Sequence, residues 1–175
     1  MGNQLTFSGS GELDNGLNVS LSFVLDQGDD ETDTTTGAAT APFDSHSITV
    51  SSDALGSLTL AGEGGSSAVS ALDTTAAGDL WDNYDAEDGL EPTAVGTGDN
   101  IMTYTLPSIM DDLALNVSYS PTASTADSAT GASATFTGVE GLSVSYGSGD
   151  GDTVGGGTDA NVLTASYAYG SFTIS

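Results

Sequence analysis

Residues 13–25, with the sequence Leu-Asp-Asn-Gly-Leu-Asn-Val-Ser-Leu-Ser-Phe-Val-Leu, decide the fold of this chain. The stretch begins with Asp14-Asn15-Gly16, and Asn and Gly tolerate the positive φ angles that tight hairpin turns need. From Leu17 onward, apolar residues alternate with small polar ones, so a strand here would have one apolar face and one polar face. The polar face carries Asn and Ser but no charged residue. This combination recurs along the chain.

The composition excludes several classes of protein. Among the 175 residues are 25 Asp and Glu but no Lys, Arg or Cys, and the formal net charge is −25. Without cationic side chains, binding to nucleic-acid phosphates or to anionic lipid is nearly excluded. The absence of Cys excludes disulfides, thiolate metal sites and cysteine nucleophiles. Cations are therefore the natural counterions, and the chain offers no cleavage site to trypsin.

Alternating runs predict about ten strands and no long amphipathic helix. The runs fall at residues 4–9, 17–25, 45–52, 57–61, 100–106, 113–119, 133–137, 142–146, 162–169 and 172–174. Between the fourth and fifth runs, a short helix is predicted over Ser67–Leu72.

The connections between these runs are predicted to alternate in length. Short ones lie near residues 14–16, 53–56, 107–112, 138–141 and 169–171, and long ones at 26–44, 63–98, 121–131 and 147–160. In an antiparallel meander, alternate connections lie at the same end of the sheet. Short turns on one rim and long acidic loops on the other are typical of an outer-membrane β-barrel. The predicted fold is thus an all-β, antiparallel up-and-down meander that forms a transmembrane barrel.

The side chains opposite the apolar ones favour a membrane barrel over a soluble sandwich. A soluble sandwich normally exposes charged residues on its solvent face, whereas these strands expose Ser, Thr, Asn and Ala. Several tyrosines are predicted near strand ends, where interfacial aromatics belong, although core tyrosines would give the same pattern. These are Tyr104, Tyr119, Tyr146, Tyr167 and Tyr169. Ser- and Thr-rich alternation also suits secreted adhesin-like or β-solenoid proteins, so periodicity leaves both classes open.

Several segments resemble the general porins of Gram-negative bacteria, particularly the alphaproteobacterial type. Gly11–Leu17 is similar to an early hairpin of that family, and Ala54–Gly62 to the strand that enters its constriction loop. Ala68–Asp73 is similar to the small helical piece of that loop. Asn100–Ser108 resembles the strand that leaves it, and Ala165–Thr173 a later hairpin.

The resemblance implies a homotrimeric channel for the passive diffusion of small hydrophilic solutes across the outer membrane. Family barrels have about sixteen strands, so residues 1–175 are expected to be a partial barrel that lacks N-terminal and C-terminal strands, or a smaller closed barrel of ten. Residues 63–98 would be the long loop that folds inward to narrow the pore. Family pores often oppose loop carboxylates with arginines, which are absent here, so the pore should prefer cations. The alternative function is that of a secreted acidic structural or adhesive protein, polymeric or stabilised by Ca²⁺.

Two sets of acidic residues are candidate sites. The pore constriction is assigned to carboxylates of the long loop, namely Glu63, Asp73, Asp79, Asp82, Asp85, Glu87 and Asp88. Oxygen ligands for Ca²⁺ are offered by Asp29, Asp30, Glu31, Asp33, Asp150 and Asp152, although their spacing fits no standard calcium motif. His46 has no second His or Cys to form a metal site with. No nucleophile–His–Asp pattern or phosphate loop is present, so an enzyme is not expected and no other cofactor is predicted.

Overall fold

The computed structural model describes residues 5–25, 43–72, 100–121, 126–153, 158–170 and 172–174. These residues form ten strands and one 3-10 helix, Ser70–Leu72. The strands are β1 (Leu5–Glu12), β2 (Asn18–Leu25), β3 (Phe43–Ser52), β4 (Gly56–Glu63), β5 (Ile101–Thr105), β6 (Leu113–Ser120), β7 (Ala126–Val139), β8 (Leu142–Thr153), β9 (Thr158–Tyr169) and β10 (Phe172–Ile174). Within these ranges, no helix reaches the length and hydropathy needed to cross a membrane.

All ten strands belong to one sheet, in which each strand pairs with its neighbours in the sequence. The order is β1 to β10 without a crossover, and every pair is antiparallel. The structure therefore confirms the all-β meander. Among the described residues the sheet is open, with β1 and β10 at its edges.

The hairpin predicted at the start of the chain is present. Gly16 has a φ angle of 80°, and its amide donates a hydrogen bond of 2.8 Å to the carbonyl of Leu13. The amide of Leu17 donates to the Asn15 side-chain oxygen at 3.2 Å. The turn thus uses both properties of the Asn-Gly pair, the short side-chain acceptor of one residue and the conformational freedom of the other.

Two predicted loops are largely strand. The predictions for residues 121–131 and 147–160 were wrong, because β7 has 14 residues and β8 and β9 have 12 each. The Gly-, Ser- and Asp-rich run in β8 lacks apolar alternation, yet it is hydrogen-bonded on both sides, with Gly149 facing Gly131 and Ala160. Of the four connections predicted to be long, two remain long, at 26–42 and 64–100, and the others shrink to 121–125 and 154–157.

Candidate pore wall and the segment that lies on it

One face of the sheet is apolar and open. The registers place Leu21, Ile48, Leu60, Met102 and Tyr119 in one row across five strands. Leu21 is 47% exposed and Leu60 is 38% exposed. A row of large apolar side chains this wide is unfavourable in water and is expected where a sheet faces lipid.

The opposite face is polar and uncharged across the middle of the sheet. The neighbouring row contains Ser20, Thr49, Thr59, Thr103 and Ser118. The hydroxyls of Thr49 and Thr59 are hydrogen-bonded to each other at 2.9 Å. Similar contacts between adjacent strands join Thr135 to Ser145 at 2.9 Å and Thr105 to Asn116 at 2.7 Å. Such groups can be solvated by confined water without any fixed charge.

Four of the five tyrosines predicted at strand ends lie at or near them. Tyr104 is the second-to-last residue of β5, and its hydroxyl donates a hydrogen bond to the carbonyl of Leu55 in the turn between β3 and β4. Tyr119 is next to the last residue of β6, and Tyr167 and Tyr169 lie in the last part of β9.

Tyr146 is inside β8, contrary to its predicted place at a strand end, and it marks a change in the outward face. Its hydroxyl donates to Asn161 at 2.9 Å. Beyond this pair toward the long-loop rim, the apolar face becomes polar, with Asp150 of β8 directly opposite Asp159 of β9. Because β8 and β9 continue past the apolar band, their ends are suited to the headgroup region or to water rather than to lipid tails.

Among the residues that the structure describes, most carboxylates lie at the two ends of the strands, which form the rims of the sheet. Asp14, Asp53, Asp111, Asp112 and Glu140 are in the short turns at one end of the strands. Glu12 ends β1 at the same rim and shares the polar face with Ser8 and Ser10. Glu63, Asp150 and Asp159 lie toward the other rim, so both ends of the sheet carry negative charge.

Residues 64–72, at the start of the longest connection, lie on the polar face. The amide of Ala68 donates a buried hydrogen bond of 2.9 Å to the Ser118 hydroxyl on β6. The Thr103 hydroxyl on β5 donates to the Ser66 carbonyl at 3.0 Å. Val69 is 1% exposed and packs against Ala129 and Val162. The segment thus crosses the sheet from β5 toward β9.

The wall beneath this segment is built from small residues. A Cβ at Gly131 would lie 2.8 Å from the Ser118 Oγ and 3.3 Å from Val69 Cγ2. A Cβ at Gly147 would lie 2.8 Å from Leu72 Cδ1. Because neither glycine carries a side chain, the backbone of the segment can also come close: Val69 N would lie 3.8 Å from a Cβ at Gly131, and Val69 Cα 3.6 Å from a Cβ at Gly147. We call Ser118, Gly131 and Gly147 the seat.

Most of the predicted constriction and calcium residues lie outside the described part of the chain. Of the constriction set, Glu63 is described: it ends β4, is exposed and pairs with His46 of β3. Asp73, Asp79, Asp82, Asp85, Glu87 and Asp88 lie outside the described residues, as do Asp29, Asp30, Glu31 and Asp33.

The remaining calcium candidates are on β8. Asp150 is exposed on the outward face, and Asp152 lies in the same strand. Within the described ranges, no group of three or more His, Asp or Glu side chains is arranged to hold a metal ion. Calcium binding stays a prediction.

The seat and its apolar lining were missed at the level of sequence. The sequence does contain a signal for them, because the alternation of apolar and polar residues is interrupted. Positions on the polar face that would normally hold Ser or Thr hold apolar residues instead, namely Ala61, Ile101, Ala129 and Val162. All four are buried on the polar side of the sheet. Of these, Ala129 and Val162 pack against Val69, so at those two positions the interruption marks where the segment lies on the wall.

A sheet with one lipid-compatible face and one uncharged polar face is the wall of a membrane β-barrel. A family model of the Gram-negative porins matches residues 1–175, so the chain belongs to that family. It is thus an outer-membrane protein of the porin channel type, as the sequence resemblance predicted. The comparisons with curated proteins and with solved structures found no match.

Proposed function

We propose that this porin forms a water-filled pore that passes small hydrophilic solutes by diffusion and admits cations more readily than anions. The observation that carries the proposal is the division of the sheet into an apolar face and a hydroxyl-lined face. The polar face would line the pore, and the apolar face would contact lipid.

The wall supports passive transport rather than recognition of one solute. Its hydroxyls bond to one another, as in the Thr49–Thr59 and Thr135–Ser145 pairs, or to the backbone of residues 66–68, and the remaining ones can bind pore water. A solute passing such a wall exchanges weak neutral contacts for similar ones with water, so no binding step is needed. Conduction through a pore requires interactions weak enough to release the solute again.

The cation preference follows from charges of a single sign. With 25 carboxylates and no Lys or Arg, the potential at both mouths is negative. A negative mouth raises the local concentration of cations and lowers that of anions. The effect should decline with salt, since the Debye length falls from about 10 Å at 0.1 M to about 3 Å at 1 M.

Glu12→Gln tests this preference, because Glu12 is a carboxylate on the pore face of β1. At a distance of about 10 Å in water, one charge contributes about 0.4 kcal/mol, and screening in 0.1 M salt leaves about 0.15 kcal/mol. Removing it should change cation and anion entry by a factor of about 1.3 each, so their permeability ratio falls about 1.7-fold. Asp159→Asn is the matched control, since it removes the same charge from the outward face.

The measurement is the reversal potential in planar bilayers under a KCl gradient. We expect cation selectivity in the unmodified chain, a smaller ratio for Glu12→Gln and an unchanged ratio for Asp159→Asn. Anion selectivity of the unmodified chain would contradict the cation preference, and a failure to conduct would contradict the channel itself.

Three finer points belong to the same proposal. The long-loop carboxylates at 63–88 would add to the negative potential inside the pore, and the protein would assemble as a trimer, as the family resemblance implies. The molecular mass of the protein in detergent, corrected for bound detergent, tests the second point. Calcium bound by the acidic loops would be detected as a rise in unfolding temperature with millimolar Ca²⁺.

A further inference from the structure

Both the segment, residues 66–72, and the wall contribute specific groups to the contact between them. Val69 packs against Ala129 and Val162, and the Ala68 amide donates a hydrogen bond to the Ser118 hydroxyl. A turn closed by hydrogen bonds from Ala71 to Ser67 and from Leu72 to Val69, each 3.0 Å, presents this side of the segment to the strands.

The glycines of the seat differ from glycines elsewhere in the sheet. A Cβ at Gly9 or Gly11 on β1 would meet no atom within 4 Å. A Cβ at Gly131 or Gly147 would meet the segment or the Ser118 hydroxyl that binds it. At Gly131 a Cβ would first meet Ser118 of the neighbouring strand and then Val69, and at Gly147 it would meet Leu72 of the segment, so a side chain at either position disturbs the contact between the segment and the wall.

We propose that Ser118, Gly131 and Gly147 are positioning residues whose seat keeps residues 66–72 fixed on the wall, and thereby keeps the cross-section of the pore constant. The proposal rests on the channel function proposed above. The segment lies on the face that lines the pore, so any movement of it changes the space left for ions. Few contacts hold it, whereas continuous backbone ladders hold the strands, so the segment can detach while the sheet persists.

A reversible cross-link tests the seat in a single protein. The double variant Val69→Cys with Gly131→Cys joins the segment to the wall, and no native Cys competes because the chain has none. A Cβ at 131 would lie 3.3 Å from Val69 Cγ2, a position that the Sγ of a cysteine at 69 can occupy, so the two sulfur atoms can come within bonding distance. In the oxidised protein, the disulfide holds the segment on the wall. Reduction breaks the disulfide but leaves a cysteine side chain at position 131, where its Cβ is crowded by Ser118 and the segment, so the segment should move away from the wall.

The readout is single-channel current in planar bilayers. The oxidised variant should show one steady open level like the unmodified chain, and reduction should add further levels and current noise. The unmodified chain, which has no thiols, should not respond to the reductant. If the oxidised variant retains both free thiols, the seated geometry is wrong.

Two further variants test the seat without cross-linking. Ser118→Ala removes the hydrogen bond from Ala68 and should raise the time spent away from the main level about fivefold, which corresponds to about 1 kcal/mol. Gly147→Val should have a similar or larger effect, and Gly11→Val is its control on an open strand position. Retention of the heat-resistant β signal in detergent shows that each barrel is still folded.

The outcomes separate the two proposals. A chain that conducts with the same steady level in oxidised, reduced and Ser118→Ala forms contradicts the seat and leaves the channel intact. A chain that conducts in none of these forms, including the unmodified one, contradicts the channel function.

Discussion

Adjacent residues of β4 provide a direct test of which face contacts lipid. Leu60 lies opposite Ile48 and Met102 on the apolar face, and Thr59 lies opposite Thr49 on the polar face. We expect Leu60→Arg to destabilise the protein in a membrane far more than Thr59→Arg, although the two changes introduce the same side chain one position apart.

The size of the difference follows from the surroundings of each residue. Arg on the lipid face near the middle of a bilayer costs about 2–4 kcal/mol, a factor of about 30 to 900 in the folding equilibrium. Thr59→Arg loses the 2.9 Å hydroxyl contact with Thr49, which is worth about 1 kcal/mol. The hydroxyl left behind can bind pore water, and the guanidinium stays solvated.

Trypsin supplies the assay, because the unmodified chain contains no Lys or Arg. Each variant then has a single cleavage site, and within the sheet that site is accessible only when the strand unfolds. The protein is reconstituted in vesicles, titrated with urea and treated briefly with trypsin. Leu55→Arg is the positive control, since it places the site in an exposed turn that should be cut in the folded state.

We expect Leu60→Arg to be cut at a much lower urea concentration than Thr59→Arg. Equal midpoints, or a lower midpoint for Thr59→Arg, would refute the assignment of the two faces and with it the pore lining.

Two smaller predictions concern packing within the sheet. Gly16 and Gly141 have φ angles of 80° and 79°, so Ala strains the backbone at either position by about 1 kcal/mol, but at Gly141 its Cβ would also collide with the Ala168 carbonyl. Gly141→Ala should therefore lower the urea midpoint clearly more than Gly16→Ala, and equal losses would show that the collision is relieved. The Phe7 and Phe23 rings are stacked with centroids 4.8 Å apart, so a double-mutant cycle to Leu should give a coupling of about 0.5–1.5 kcal/mol, and a coupling near zero would contradict the stack.

The sequence predicted the sheet best where strong alternation and turn residues agree. β2 follows directly from the alternation after Gly16, and all ten strands were found with their order. The ends of β7, β8 and β9 were not found, because runs such as Gly147–Asp152 have no apolar periodicity. Their strand conformation depends on pairing with neighbours on both sides, which no local pattern encodes.

The contact between the long connection and the wall could not be predicted from local sequence patterns. A short helix was expected over Ser67–Leu72, and the porin resemblance placed a small helical piece at Ala68–Asp73; the structure forms a turn there that ends in the 3-10 helix. Its partners, Ser118, Gly131 and Gly147, are far away in sequence and have no feature that marks them singly. Only the registers bring them to one place, because each lies on the polar face of a different strand.

The hydroxyl wall has a consequence for the behaviour of the protein in acid. Backbone ladders and pairs such as Thr49–Thr59 join the strands, and neither backbone amides nor hydroxyls change their charge in acid. In most proteins acid also breaks ion pairs with Lys or Arg, but this chain has neither residue, so protonation chiefly relieves repulsion. Acidification should therefore discharge the mouths of the pore, and abolish its preference among ions, while the barrel wall stays intact.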